Sequence, residues 1–208
     1  MKPRLRYSRC GTRVVPTNTV LAKQVLQYIT DIRVSANAEL DLFRDQATLT
    51  AAVEKAALAI GAGQNHDKRF SHQYRITPGA IAQARTILLG ALPRLRSCHS
   101  FHQLHDLICQ LVARARGLGE LYCYDTALRI GAKLDLLPQK VYLHRGTREG
   151  ARALGRNDYK AATIDPRTLP RELSQLEPHE IEDFLCIFKD CLHTPKRLTM
   201  DAANRLRR

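Results

Sequence analysis

Gly117-Leu118-Gly119 is preceded by Arg114 and Arg116 and followed by Glu120. Glycine tolerates positive φ and lets another backbone, or a phosphate, come close. If a helix starts at Glu120, its first N–H groups point back into the turn, and the helix dipole adds to their pull on an anion. Arg114 and Arg116 would supply forked donors suited to phosphate oxygens. A second set, Arg145, Arg148, Arg152 and Arg156, is spaced three, four and four. Helical geometry over 146–156 would put these on one face. Arg145 and Arg148 would then stand at the helix start, where the dipole disfavours cations. Glu149 and Asp158 offset them only in part, so the stripe points to an external anion or, more plainly, to a solvated face.

Three further groups have chemical potential. Cys98, His102 and His105 have spacings of four and three that suit a metal. However, Ser100 starts a helix that leaves Cys98 outside it, and no fourth ligand lies nearby. These histidines therefore read as exposed or core residues, and no metal or cofactor is expected. Asp125 and Arg129 are an i,i+4 pair. They read either as a carboxylate near the phosphate site or as a helix ion pair worth about 0.3–0.5 kcal/mol. The stretch 64–76 interleaves Lys68, Arg69 and Arg75 with Phe70 and Tyr74, which would suit stacking on splayed bases or plugging a core.

The elements that must position these groups are helical. Val20, Val25, Leu26, Ile29 and Ile32 predict a helix over 17–32, capped by Thr17 or Asn18. Leu49, Val53, Ala56, Ala57 and Ile60 predict another, stopped by Gly61–Gly63. Thr77 and Pro78 read as N-cap and first helical residue of a helix reaching Gly90. Ser100 with Gln103 forms a capping-box pattern ahead of the stripe Phe101, Leu104, Ile108, Leu111. After the glycines, Leu121, Tyr124, Leu128 and Gly131 repeat that spacing to about Leu134. "KVYLH" reads as extended, 147–154 as a short helix, and 178–192 as the last helix. Glu180, Glu182 and Asp183 sit in its early turns, as the dipole prefers. The fold class expected is all-α: one compact bundle of about seven helices over 17–194, between a basic arm (1–16) and a basic tail (195–208).

Bulk composition narrows the partners. The 208 residues carry 33 Lys and Arg against 20 Asp and Glu, a net charge of +13. That balance fits an electrostatic footprint for nucleic acid. No apolar run reaches membrane-spanning length and no signal core follows Met1, so no membrane partner is expected and the location reads as cytoplasmic. The six cysteines lie mostly within apolar helical patterns and read as reduced, packed thiols.

The stretch "LVARARGLGELYCYDTALRIGAKL" resembles the helix-hairpin-helix motif of DNA-binding proteins, with Gly117, Leu118 and Gly119 as the hairpin. The resemblance implies that Leu118 packs inward while backbone amides hold a DNA phosphate without reading sequence. More distantly, the order hairpin, helix, extended Val141-Tyr142-Leu143-His144, helix resembles the endonuclease III-like DNA glycosylases. Here Leu121 occupies the place of their catalytic Lys and Tyr142 that of their catalytic Asp. Only Cys186 and Cys191 stand where many relatives carry four cluster cysteines. The reading that follows is a non-sequence-specific binder of double-stranded or structured DNA rather than an enzyme. It would grip phosphates through Arg114, Arg116, Gly117, Leu118, Gly119, Arg145, Arg148, Arg152 and Arg156. The alternatives are a glycosylase-like enzyme with relocated groups, for which Asp125 and Tyr142 are the catalytic candidates, and a basic helical subunit of a larger protein assembly.

Overall fold

A computed structural model describes residues 18–61, 73 and 75–192. The basic arm, Thr17, most of the 64–76 stretch (including Lys68, Arg69, Phe70 and Tyr74) and the basic tail lie outside the described residues.

The described chain is mostly helical. In order it forms α1 (Asn18–Asp31), α2 (Arg33–Arg44), α3 (Leu49–Leu58), α4 (Pro78–Gly90), α5 (Leu92–Arg96), α6 (Phe101–Val112) and α7 (Glu120–Leu134). Strand β1 (Val141–Tyr142), α8 (Arg145–Ala153), strand β2 (Thr163–Ile164) and α9 (Pro178–Phe188) follow, with single-turn helices at Pro166–Thr168 and Arg171–Gln175 between β2 and α9. Most helix starts follow local chemistry. Thr48 and Thr77 accept hydrogen bonds from Ala51 N and Ala80 N, and Ser100 accepts from Gln103 N, each satisfying an otherwise orphaned donor. Gln103 Oε1 in turn accepts from the backbone N–H of His99.

Two helices stand where apolar spacing predicts none. In α2, Ser, Asn, Asp and Val lower intrinsic propensity, and Leu40 and Phe43 are its buried residues. Tertiary packing against α7 holds it. In α5, five residues begin with Leu92-Pro93, too short to show a period. The purely helical expectation is also incomplete. β1 and β2 pair antiparallel, Val141 with Ile164 and Tyr142 with Thr163. Their partner segments are separated by α8, so no local hairpin pattern announces them.

Buried side chains form two clusters. One gathers α2, α3, α4, α6 and α7 around Phe43, Leu88, Leu104, Ile108 and Ile130. The other gathers α1, α8, α9 and the strands around Tyr28, Val141, Leu143, Phe184 and Leu185. Alternation along β1 joins them: Val141 and Leu143 enter the second cluster and Tyr142 the first, as successive strand residues must face opposite sides. Among the described residues no helix is long and apolar enough to cross a membrane.

Candidate functional site

Helices α6 and α7 pack along each other and are joined by residues 113–119. Gly117 has φ +90°, a conformation that L side chains rarely adopt. Gly119 is extended and caps α7 without a side chain, so no side-chain acceptor covers its first turn. Leu118 packs on the first core cluster. Arg114 and Arg116 are exposed.

Beside the start of α7 lies a cleft of about 410 Å³ whose walls come from α6, α7, both strands and α8. Its apolar wall is aromatic. Tyr142 packs edge-on against Phe101, centroids 5.1 Å apart, and its ring lies 5.7 Å from that of Tyr124 and 4.8 Å from that of His105. Glu120, Arg148, His102 and Lys140 add charge or polarity to the lining. The Tyr142 phenol is pushed up to about 12 by burial first, then by Asp106 and Cys109, so it is protonated at neutral pH. Its oxygen lies 3.1 Å from His102 Nδ1.

The arginine stripe divides. Arg148 forks onto Glu120, at 2.7 and 3.2 Å, which holds the Glu120 carboxyl below its usual range. Arg156 is not on α8 at all. The helix ends at Ala153, Gly155 turns the chain at φ +78°, and Arg156 binds Asp158 and Thr168. Arg145 is almost fully exposed, with Glu149 3.7 Å away, and Arg152 is exposed. The four arginines therefore do not form one open face: two are engaged within the molecule and two face solvent.

Asp125 does not line the cleft. Its Oδ2 accepts from Gln73 Nε2 at 2.7 Å and lies 3.8 Å from Arg129. Arg129 is 3% exposed, lies near Glu39, and has its guanidinium 5.8 Å from the Phe43 ring centre. Far from a solvated helix pair, this is a buried guanidinium held by two partly exposed carboxylates, whose loss would strand its charge.

The cleft gathers groups that spacing alone does not. His102 and His105 face it from α6, one turn apart on a helix whose apolar stripe gives no reason to place them in a cleft. His144 lines it and hydrogen-bonds through Nε2 to Glu182 of α9, a buried residue. In the sequence Glu182 reads as an acid placed for the helix dipole; in the structure it is buried against α8's entry. Burial raises its carboxyl to about 7, partly opposed by His144. For His144 burial is the largest single influence and works against the charged form, but the bond to Glu182 together with the charges of Glu182, Asp125 and Glu120 outweighs it, and the imidazole is shifted up. Thr147 Oγ1 fixes the backbone there, accepting from His144 N–H and donating to its carbonyl. An i,i+3 reading of His144 with Thr147 carries that turn in the sequence; the partnership with residue 182 has no local signal.

Among the described residues no three His, Cys, Asp or Glu side chains converge in a way that would hold a metal ion. The Cys98 thiol lies 3.5 Å from the Arg94 carbonyl. The five described cysteines are free thiols. Comparison of the chain with protein-family models, with curated proteins and with solved structures returned no match.

Proposed function

We propose that this protein binds DNA through its phosphate backbone, with residues 113–119 acting as a helix-hairpin-helix grip. The observation that carries the reading is the turn itself. Gly117 is left-handed, Gly119 leaves the first turn of α7 without a side-chain cap, and Arg114 and Arg116 are exposed beside it. A phosphate there would meet backbone N–H groups, the positive end of α7 and two forked cations. Arg145 and Arg152 extend the positive surface. Arg148 serves differently, tied to Glu120 at the mouth of the cleft. Contacts of this kind position a duplex without reading its bases.

A second reading, a glycosylase-like base-excision enzyme, is favoured by one observation: the aromatic cleft opens beside the start of α7. A base turned out of its stack next to a gripped phosphate would find Phe101, Tyr124, Tyr142 and His105 as apolar and stacking surface. Leu121 removes Schiff-base chemistry from this site, which leaves Tyr142 as the candidate. The two readings share one grip and differ in what the cleft does.

Fluorescence anisotropy with a labelled duplex at about 50 and 200 mM salt tests the binding reading, since phosphate contacts give steep salt dependence. Arg114→Glu with Arg116→Glu is expected to abolish most of the affinity. Equal affinity in that variant, or no binding by the wild type at low salt, defeats the reading. A stoichiometric protein partner without DNA affinity would instead identify a basic subunit of an assembly.

A further inference from the structure

Tyr142 is held by two histidines of α6. Its oxygen is 3.1 Å from His102 Nδ1, and its ring lies 4.8 Å from that of His105. The two histidines share one carboxylate: Asp106 Oδ2 is 3.4 Å from His102 Nε2, and Oδ1 is 3.3 Å from His105 Nδ1. A carboxylate beside Nε2 favours the proton on that nitrogen. Nδ1 of His102 then carries the lone pair, and the Tyr142 O–H donates to it. The order carboxylate, imidazole, hydroxyl is that of a nucleophile activated through a histidine.

We infer that Asp106, His102 and Tyr142 form a proton relay that makes the Tyr142 oxygen the nucleophile of the cleft, acting on the sugar carbon C1′ of a nucleotide whose base lies against the aromatic wall. The inference rests on the base-excision reading. Tyr142 is part of that wall, so the atoms brought to its oxygen are those joining base to sugar, while the phosphates stay with the hairpin outside. In the first step the phenol proton passes to His102 Nδ1 as the O–C1′ bond forms and the C1′–N bond breaks. The bonding pair leaves on the base nitrogen, which takes the proton from His102. In the second step water attacks C1′ and gives a proton to His102. The C1′–O bond to Tyr142 breaks, and that proton returns to the phenol oxygen. The sum is hydrolysis of one glycosidic bond by one water. Tyrosine is a nucleophile at sugar carbons in some glycosidases. Tyr142 and His102 are the catalytic residues of this scheme; Asp106 is a positioning residue.

The test uses the full chain and duplexes carrying single deaminated, oxidised or alkylated bases, with base release read as strand scission in hot alkali. The wild type is expected to release at least one of these bases. Tyr142→Phe and His102→Ala are each expected to slow single-turnover release by about 100-fold or more. The His102 side chain is 72% exposed, so its replacement leaves the core intact. A 2′-fluoro sugar at the preferred base is expected to leave an adduct on the peptide containing Tyr142, read by mass spectrometry. For Asp106, nitrogen-15 NMR of the imidazoles is expected to show the Nε2–H tautomer of His102 in the wild type and a mixture in Asp106→Asn. Release that survives Tyr142→Phe overturns the relay alone. An unchanged tautomer in Asp106→Asn removes Asp106 from it. Absence of release from every duplex overturns the base-excision reading and the relay together, while DNA affinity, measured separately, still judges the grip.

Discussion

At the scale of single residues, the decisive fact is that several ionisable side chains are buried in pairs. Glu182 and His144 are each below a tenth exposed and bond to each other. Burial penalises the bare carboxylate most, so the folded state holds a proton that the unfolded chain releases at lower pH. Both groups titrate upward in the fold. Their contribution is therefore fully present below the ordinary range of a Glu and is lost as pH rises through about 7. Thermal unfolding across pH 5 to 8 is expected to show the wild type losing stability relative to Glu182→Gln; parallel curves would show that the pair holds no extra proton. His144→Ala strands the carboxylate and is expected to cost about 3–5 kcal/mol in chemical denaturation. None of this is legible locally. Glu182 sits in the first turns of a helix, a place that an exposed acid fills equally well, and only its neighbour from α8's entry gives it another role. Arg129 misleads for the same reason: an i,i+4 charge pair looks identical whether the helix faces water or Phe43.

At the scale of elements, the helices themselves are readable wherever a cap and an apolar stripe coincide. α3, α4, α6 and α7 follow their stripes, and the Ser100 cap sits where the sequence puts it. α1 forms where expected but turns another face inward: Leu21, Val25 and Tyr28 are buried, while Val20 and Leu26 of the expected stripe are exposed. α2 is hidden because two buried residues do not make a stripe. The packing of α8 on α9 depends on missing side chains. A Cβ at Gly150 would clash with the Leu185 carbonyl oxygen, and one at Gly146 would meet Cys186 Sγ at 2.6 Å. Gly150→Ala is therefore expected to destabilise by about 1–3 kcal/mol, by forcing the two helices apart. An unchanged urea midpoint would disprove that close approach. The hairpin responds differently. A Cβ at Gly117 meets nothing within 4 Å, so Gly117→Ala suffers only from φ, about 1–2 kcal/mol. On the proposed reading, in which the turn aims the amides at a phosphate, its larger effect is expected on DNA affinity. Gly119→Ala, at negative φ and in open space, is expected to melt like the wild type.

At the scale of the whole molecule, the excess of 13 positive charges matters less by its size than by its distribution. Arg148, Arg156, Arg33 and Arg85 are committed to internal carboxylates. Arg114 and Arg116 face solvent just before α7, Arg145 at the first residue of α8 and Arg152 in its last turn. Composition and helical spacing find the arginines but do not separate these two sets, because Glu120, Glu180 and Glu54 arrive from other parts of the chain; only Asp158, two residues from Arg156, is a local partner. The cleft is equally hidden. It forms where β1 crosses between the two clusters, and its histidines read in sequence as ordinary helix residues. The claim on which the rest depends is that the solvent-facing arginines beside the hairpin neutralise DNA phosphates. It is tested most directly by the slope of log affinity against log salt for a duplex, in the wild type and in Arg114→Ala with Arg116→Ala. The account requires a steep wild-type slope that falls by about 2 in the double variant, one for each phosphate left without its arginine. An unchanged slope, or a wild type that does not bind the duplex, would contradict it.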